Sequence, residues 1–241
     1  MPMSSKSEVG HNKNVANYSS AIQILNEMGP LYSAPVHIQI NNLTPLEGLL
    51  ATSVNALNVE LAINKTDVAD RQTEYKKLDQ KVTMSNNYFK SLNVDAKDKA
   101  NVNALAKKIR GDSKKKIIDP VDPLKDTHSD KQLSHDSLLA NFRTYIALLA
   151  SFAEYTPNET EITTASLTTF ANTLGTLNTN ANASNAALIT GRKDRNDLIY
   201  FKSPNVIDLM RDVKAYVKSL GEPGKPYYKA LVRLKFSDYK A

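Results

Sequence analysis

Residues 44–92 read TPLEGLLATSVNALNVELAINKTDVADRQTEYKKLDQKVTMSNNYFKSL, and apolar residues recur in them every seven positions for about six heptads. One series at this spacing is Val54, Leu61, Val68, Tyr75, Val82 and Phe89. The companion series is Leu50, Leu57, Asn64, Arg71, Leu78, Ser85 and Leu92, which polar residues interrupt. This pattern predicts one long helix, roughly 70 Å if unbroken, that forms the spine for shorter helices.

Local signals mark both ends of this helix. Thr44 has the hydroxyl of an N-cap, Pro45 suits the first helical position, and Glu47 completes a capping box. Asn93 tolerates the left-handed conformation with which helices often end. The sequence therefore predicts a helix that starts at Thr44 and ends at Asn93.

Composition limits the class of protein. The chain has 241 residues, of which 41% are hydrophobic, which is enough for one sizeable core or two small ones. Cysteine is absent, so disulfides, thiolate metal sites and cysteine nucleophiles are excluded. No secretory signal and no run of about eighteen apolar residues is visible, so the expected compartment is the cytoplasm.

The second half of the chain repeats the first. Five segments of the first half recur in the same order in the second. They are Ala16-Asn17-Tyr18 with Ala140-Asn141-Phe142, Tyr32 to Pro35 with Tyr155 to Pro157, seam 54–68 with seam 174–188, residues 88–93 with residues 216–221, and Lys108-Ile109 with Lys235-Phe236. The offset between matches changes from 124 to 120 and then to 128, which predicts about eight extra residues late in the second copy. Ser203-Pro204 lies there and predicts a break near Lys202 with a restart at Pro204.

Each copy is predicted to contain a short helix, an extended connector, a long helix and a basic tail. The repeats are residues 1–110 and 133–241, and residues 111–132 form a charged linker that contains proline. Alternation in residues 36–40 fits a connector, with a short strand as the alternative. We expect an all-α fold, an elongated helical bundle with coiled-coil-like packing in which both repeats form one bundle.

Catalytic and cofactor motifs are missing from the sequence. Glycine is too sparse for a phosphate-binding loop or a nucleophile elbow. His128 and His135 are the closest histidines, but their spacing fits no helical metal site. Acidic residues at 194, 197, 208 and 212 alternate with arginines and indicate surface ion pairs. We predict no catalytic residue, no metal and no cofactor, and hence no enzyme.

Polar residues in the two seams have two interpretations. Asn64, Arg71, Ser184 and Arg195 can fix the register of the helices, or they can line a buried polar pocket. We favour register, with Arg71 as the exception, because a buried guanidinium requires an acidic partner.

The net charge of +6 is concentrated in two segments, residues 97–116 and 211–241. The candidate polyanion-binding residues are Lys107, Lys108, Arg110, Lys229, Arg233 and Lys235, with Tyr227 and Tyr228 as candidate stacking residues. Alternatively, the apolar residues of both tails pack back on the bundle and leave only the lysines in solvent.

The motifs Ala-Asn-Tyr/Phe, Tyr-x-Pro, Lys-Ile-Arg-Gly and Leu-Lys-Phe resemble a family of uncharacterised, internally duplicated helical proteins of bacteria. The resemblance implies the two-copy architecture and no activity. We predict a non-enzymatic interaction or scaffold protein that binds a protein partner or self-associates, with no small-molecule substrate. Nucleic-acid binding through the basic tails is the alternative, and a membrane-active bundle is a weaker one.

Overall fold

The computed structural model describes residues 9–111 and 134–239, and 83% of these residues are helical. The α-helices are α1 (Val9–Met28), α2 (Ile40–Ser91), α3 (Ala96–Arg110), α4 (His135–Ala150), α5 (Thr164–Asn196), α6 (Val206–Ser219) and α7 (Lys225–Arg233). No strand occurs in the described ranges, and the connector at Val36–Ile38 is a 3-10 turn. The all-α prediction is confirmed, and the strand alternative for residues 36–40 is wrong.

The long helix α2 begins one turn earlier than its sequence signals predict. Gln39 accepts the first backbone hydrogen bonds, from the N–H groups of Asn42 and Leu43. Thr44 is inside the helix, where its hydroxyl donates to the Ile40 carbonyl at 2.9 Å. Leu43 is fully buried, so the extra turn adds a residue to the core. The prediction of Thr44 as N-cap is therefore wrong.

Two glycines follow the ends of helices, and Ser134 precedes the start of another. Gly29 and Gly221 follow α1 and α6 with φ of 52° and 67°, values that favour glycine. The Ser134 hydroxyl accepts from the Ser137 N–H at 3.2 Å and caps α4. Asn93 is different, because no described residue other than glycine has a positive φ. The left-handed helix end predicted at Asn93 is wrong.

The second long helix is broken where the sequence predicts a break. Helix α5 passes into a π-helical turn, Asp197–Phe201, and α6 begins after a bend. The cap of α6 is Asn205, whose side-chain oxygen accepts from the Asp208 N–H at 2.9 Å. Ser203-Pro204 precedes the cap and α6 begins at Val206, so the predicted restart at Pro204 is wrong by two residues.

The described chain divides into two compact units that do not coincide with the predicted repeats. Unit 1 joins residues up to Ile63 with residues from Asn185 onward, and unit 2 is Asn64–Ser184. Each unit therefore contains segments from both predicted repeats. The repeat boundaries themselves stay a prediction, as does the packing of both repeats as one elongated bundle. The linker prediction, apart from Gly111, falls outside the described residues.

The core of unit 1 is built by α1, α6, α7 and the start of α2. Its fully buried side chains include Tyr18, Leu25, Leu43, Leu50, Val213, Val217 and Leu231. Tyr18 closes the core by donating its hydroxyl to the Leu43 carbonyl at 3.1 Å. Apolar residues on α6 recur at helical spacing, so a single face of that helix meets the core.

The core of unit 2 is built by α3, α4, the end of α2 and the start of α5. Its fully buried side chains include Val82, Phe89, Val102, Phe142, Tyr145, Leu149, Leu167 and Leu174. Aromatic rings meet edge to face in this core, for example Phe142 and Phe170 with centroids 5.9 Å apart.

The same tyrosine contacts occur in both units. The Tyr32 hydroxyl donates to the Ile38 carbonyl at 2.7 Å, and the Tyr155 hydroxyl donates to the Ile162 carbonyl at the same distance. Each of these tyrosines also meets a second ring edge to face. The ring pairs are Tyr32 with Tyr216, at 5.5 Å, and Tyr155 with Tyr88, at 5.4 Å.

The buried positions of the two long helices indicate which of their residues correspond to each other. The buried positions Leu43, Leu46, Leu50 and Leu57 of α2 correspond to Leu167, Phe170, Leu174 and Ala181 of α5 at a constant offset of 124. The offset is 128 at the helix ends, Ser91 and Ser219. These offsets favour a difference of four residues over the predicted eight and give no support to an offset of 120, while the duplication itself stays a prediction.

Candidate functional site

The basic residues predicted in the first tail lie on α3, in unit 2. Lys107 and Lys108 are exposed, whereas Arg110 is half-buried. The Arg110 guanidinium donates to the Thr83 hydroxyl at 3.4 Å. Ile109 between them is buried in the core of unit 2. This tail therefore offers two lysines to solvent.

The basic residues predicted in the second tail lie in unit 1. Lys229 and Arg233 are one helical turn apart on α7, Lys235 follows the helix, and all three are exposed. None of them forms an ion pair with any residue in the described ranges. Within the part of the chain that the structure describes, their charges thus have no acidic partner, and a polyanion can provide one.

Lys214 and Lys218 of α6, which lie in the basic segment 211–241, belong to the same surface but were not among the candidate binding residues. Lys214 donates to the Leu234 carbonyl at 2.9 Å and lies 4.9 Å from the centre of the Phe236 ring. Burial lowers the pKa of Lys214, and the nearby charge of Lys235 lowers it further. The other lysine, Lys218, is exposed.

The predicted stacking residues are already engaged. Tyr227 and Tyr228 are half-buried against the core of unit 1. The Tyr227 hydroxyl lies 3.5 Å from the Glu27 carbonyl, and Lys218 covers the Tyr228 ring at 6.0 Å. The apolar residues of both tails pack on the unit cores, as the alternative interpretation predicts.

An exposed aromatic pair lies elsewhere in unit 1. Phe201 of the π-helical turn and Tyr239 near the C-terminus have centroids 4.9 Å apart and are 57% and 45% exposed. Tyr200 lies behind both rings, at 6.0 Å from Phe201 and 5.5 Å from Tyr239. Sequence reasoning missed this pair because its members are 38 residues apart in the chain and follow no helical period.

Exposed apolar side chains form a stripe on α2 within unit 1. Leu49, Val59 and Ile63 are 56%, 57% and 45% exposed, and Leu49, Ala56 and Ile63 follow a seven-residue spacing. We name Leu49, Ala56, Val59 and Ile63 the α2 stripe. These positions lie within one quadrant of the helix, centred roughly 130° around the axis from the buried Leu50 and Leu57.

Pairs of polar seam residues explain most of the interruptions in the heptads. Asn64 donates to the Ser184 hydroxyl at 3.2 Å, and the Ser85 hydroxyl lies 2.9 Å from that of Tyr145. Arg195 is 2% exposed and donates through Nε and Nη2 to the side-chain oxygen Oδ1 of Asn196, the next residue of the same helix, at 3.1 and 2.8 Å. The contacts of Asn64 and Ser85 therefore support register as the role of these seam residues, whereas the Arg195 bond is local.

Arg71 does not fit the prediction made for it. Its side chain is half-buried rather than buried, and its Nε makes no hydrogen bond with any described residue. Arg71 also forms no ion pair within the described ranges. Its Nε is itself buried, but the residue as a whole is partly exposed, so the predicted acidic partner for a fully buried guanidinium is not present among the described residues.

A polar cleft of about 580 Å³ lies between α4 and α5 in unit 2. Its lining is Asp136, Leu139, Arg143, Asn172, Gly175, Thr176, Asn178, Thr179, Asn180 and Asn182. Asn178 donates to the Asp136 carboxylate at 3.0 Å, and its own carbonyl oxygen is buried without a partner among the described residues. The cleft therefore presents amides and hydroxyls, which can hydrogen-bond a small polar molecule.

Titratable groups beside this cleft have shifted pKa values. Burial raises the pKa of Tyr75, whose hydroxyl donates to the His135 carbonyl at 2.7 Å. Burial also lowers the pKa of His135, and the positive charge of Arg71 lowers it further. The two rings meet edge to face at 4.6 Å. These contacts join α2 to the start of α4 and hold the Tyr75 proton on a backbone carbonyl.

Charged side chains near the predicted acidic pairs form surface ion pairs. Lys193 and Asp197 are 2.7 Å apart, and Arg211 and Asp208 are 2.9 Å apart. No three potential metal ligands cluster within the described ranges; His128 falls outside them. None of the helices in these ranges combines the length and apolar character needed to cross a bilayer.

Comparison with protein families, with curated proteins and with solved structures found no match to this chain. The resemblance noted in the sequence is therefore not matched by an identified family, and an all-helical protein is what the comparisons and the fold support. The function must be argued from the surfaces described above.

Proposed function

We propose that this chain is a non-enzymatic helical interaction protein that binds a protein partner, or a second copy of itself, along the α2 stripe. The observation that carries the proposal is the exposure of Leu49, Val59 and Ile63 on one side of a helix. Further support comes from residues 58–77 of α2, none of which is buried although Leu61 and Val68 belong to the seam.

The stripe can supply a useful share of binding energy. Complete burial of a Leu, Val or Ile side chain is worth about 1.5–3 kcal/mol, and these three are roughly half exposed. Covering them thus contributes about 3 kcal/mol in total. Polar residues around the stripe must add the rest, as in the rim of an ordinary interface.

The test compares two double variants of equal charge. Leu49→Glu with Ile63→Glu places two carboxylates on the stripe, and Asn58→Glu with Ala62→Glu places two at exposed positions outside it. Light scattering measures self-association, and cross-linking in a cell extract followed by capture measures partner binding. We expect only the stripe variant to lose the complex while both keep the helical circular dichroism. Unchanged complexes with the stripe variant would overturn the proposal.

We further propose that the chain consists of two tandem copies of one helical unit. The paired bonds of Tyr32 with Ile38 and of Tyr155 with Ile162 support this duplication, because unrelated segments have no reason to repeat them. The constant offset of buried residues in α2 and α5 supports it as well. The elongated bundle and the coiled-coil-like packing that the sequence predicts belong to the same proposal.

Polyanion binding through the basic tails is a second candidate function. The exposed charges of Lys229, Arg233 and Lys235 favour it, because they have no ion-pair partner in residues 9–111 and 134–239, as does the lowered pKa of Lys214 beside Lys235. Nucleic acid should bind at about 50 mM salt and dissociate steeply as salt rises. Changing Lys229 and Arg233 to Ala should weaken binding more than changing Lys107 and Lys108 to Ala. Absence of binding to mixed DNA and RNA would contradict this candidate.

The membrane-active alternative has less support. Insertion into a bilayer surface requires apolar side chains on the outside of an amphipathic helix. On α7 the basic residues are exposed, whereas Leu231 is fully buried in the core of unit 1. Leakage of a dye from anionic liposomes would nevertheless support this alternative.

A further inference from the structure

The exposed pair of Phe201 and Tyr239 is built from two distant parts of unit 1. Phe201 ends the π-helical turn after α5, and Tyr239 belongs to the segment that follows α7. Their rings meet at 68° and both keep about half of their surface in solvent. Aromatic rings bury much of the apolar surface in cores and interfaces, so an exposed, well-supported pair suits a flat ligand.

Hydrogen bonds hold the C-terminal segment in place against α1. The fully buried Asn14 donates to the Ser237 carbonyl at 2.8 Å and accepts from the Ser237 N–H at 2.9 Å. Asn17 donates to the Lys235 carbonyl at 2.7 Å. The segment therefore follows α1, and its backbone is fixed on both sides of Phe236.

The same network supports the rings from behind. Asn14 also donates to the Tyr200 hydroxyl at 3.0 Å, and His11 lies 3.0 Å from that hydroxyl. Tyr200 in turn contacts both Phe201 and Tyr239. A ligand that stacks on the exposed rings thus meets a surface that is already ordered, which reduces the entropy lost on binding.

Basic residues lie close in sequence to both members of the aromatic pair. Lys235 is four residues before Tyr239, a separation of at most about 14 Å in an extended chain. Lys202 directly follows Phe201 and is exposed, as is Arg233 at the end of α7. Asp238 is the one acid between Lys235 and Tyr239, and it accepts a hydrogen bond from the Tyr239 N–H.

We infer that unit 1 binds single-stranded nucleic acid, with bases stacked on Phe201 and Tyr239 and phosphates contacted by Lys202, Arg233 and Lys235. This inference rests on the polyanion-binding candidate described above. Aromatic faces beside a basic surface are the combination that single strands use. A duplex keeps its base faces inside the stack, so the aromatic pair adds nothing to duplex binding. An anionic bilayer offers phosphates but no faces to stack.

The experiment measures fluorescence anisotropy of labelled oligo(dT), oligo(U) and a DNA hairpin duplex with the full chain. We expect the single strands to bind more tightly than the hairpin. Phe201→Ala with Tyr239→Ala should weaken single-strand binding by about tenfold or more and leave hairpin binding and the salt slope unchanged. Arg233→Ala with Lys235→Ala should weaken both and reduce the salt slope.

Phe201→Tyr with Tyr239→Phe is the matched control, because it keeps both rings and should keep single-strand affinity. Circular dichroism and thermal unfolding check that each variant is folded. Equal binding of strands and hairpin, unaffected by loss of the rings, overturns this inference and leaves polyanion binding in place. Binding of none of the three probes overturns both. If the ring variant loses a protein complex and the parent chain binds no oligonucleotide, the aromatic pair is a protein-docking site, and the inference is also overturned.

Discussion

At Asn14, three hydrogen bonds connect parts of the chain that are far apart in sequence. The side chain lies on α1, is fully buried, and uses both its donors and its acceptor on Tyr200 and Ser237. Such a residue specifies one arrangement, because any replacement leaves buried polar groups without partners. Nothing in the sequence around Asn14 distinguishes it from the half-buried Asn17 one turn later.

Replacing Asn14 by Ala should destabilise the protein by about 2–4 kcal/mol, because three bonds are lost and the Ser237 backbone is left unpaired. Urea unfolding followed by circular dichroism measures the loss. Asn17→Ala is the control, since it removes one exposed bond and should cost about 0.5–1 kcal/mol. Equal losses for the two variants would show that the buried network has no special weight.

Protonation of His135 should reduce stability in acid. Its pKa is lowered in the folded state by burial and by Arg71, while Asp136 opposes the shift. The unfolded chain therefore binds the proton first, so the free energy of unfolding falls as pH drops through the ordinary value of 6.5. The decrease ends once the folded histidine is also protonated.

The free energy of unfolding of the His135→Asn variant should therefore fall less than that of the parent when the pH is lowered from about 8 to about 5. The Tyr75 bond to the backbone carbonyl survives this change, because it does not use the imidazole. Urea unfolding at several pH values gives both curves. A parent and a variant with parallel curves would show that His135 has no part in the acid dependence.

At the scale of the element, sequence signals located helices well and their ends less well. Gly29 and Gly221 follow helix ends with positive φ, a conformation that glycine adopts without strain. The capping signal at Thr44 failed because burial of Leu43 extends the helix by one turn, and burial depends on tertiary contacts. The aromatic pair on unit 1 could not be predicted for the same reason.

Two glycines should respond in opposite ways to alanine. A Cβ at Gly224, before α7, would lie 2.6 Å from the Val217 carbonyl oxygen and 2.8 Å from the Leu220 Cβ. Gly224→Ala should thus push α7 from α6 and cost about 1–3 kcal/mol. Gly48→Ala, inside α2 with no atom within 4 Å, should stabilise by about 0.5–1 kcal/mol. Urea midpoints measure both, and a neutral Gly224→Ala would contradict the close packing.

At the scale of the whole molecule, each of the two cores combines residues from the first and the second half of the chain. The core of unit 1 combines residues 18–50 with residues 199–231, and that of unit 2 combines residues 78–109 with residues 139–174. Each core thus takes its side chains from both sides of residues 112–133. The proposed duplication rests on short motifs, and these motifs could not predict the mixed cores, because motif matching does not say which segments pack together.

A chain cut within residues 112–133 should therefore stay together. With a protease site inserted there, the two fragments should elute as one complex with the helicity of the uncut insertion variant, because each fragment alone lacks half of both cores. Unfolding of the cut complex should become concentration-dependent, since folding is now coupled to association. Size-exclusion chromatography and native mass spectrometry make the measurement. Two separate, folded fragments would mean that each half of the chain forms its own core. Cores that combine residues from both halves would then be wrong.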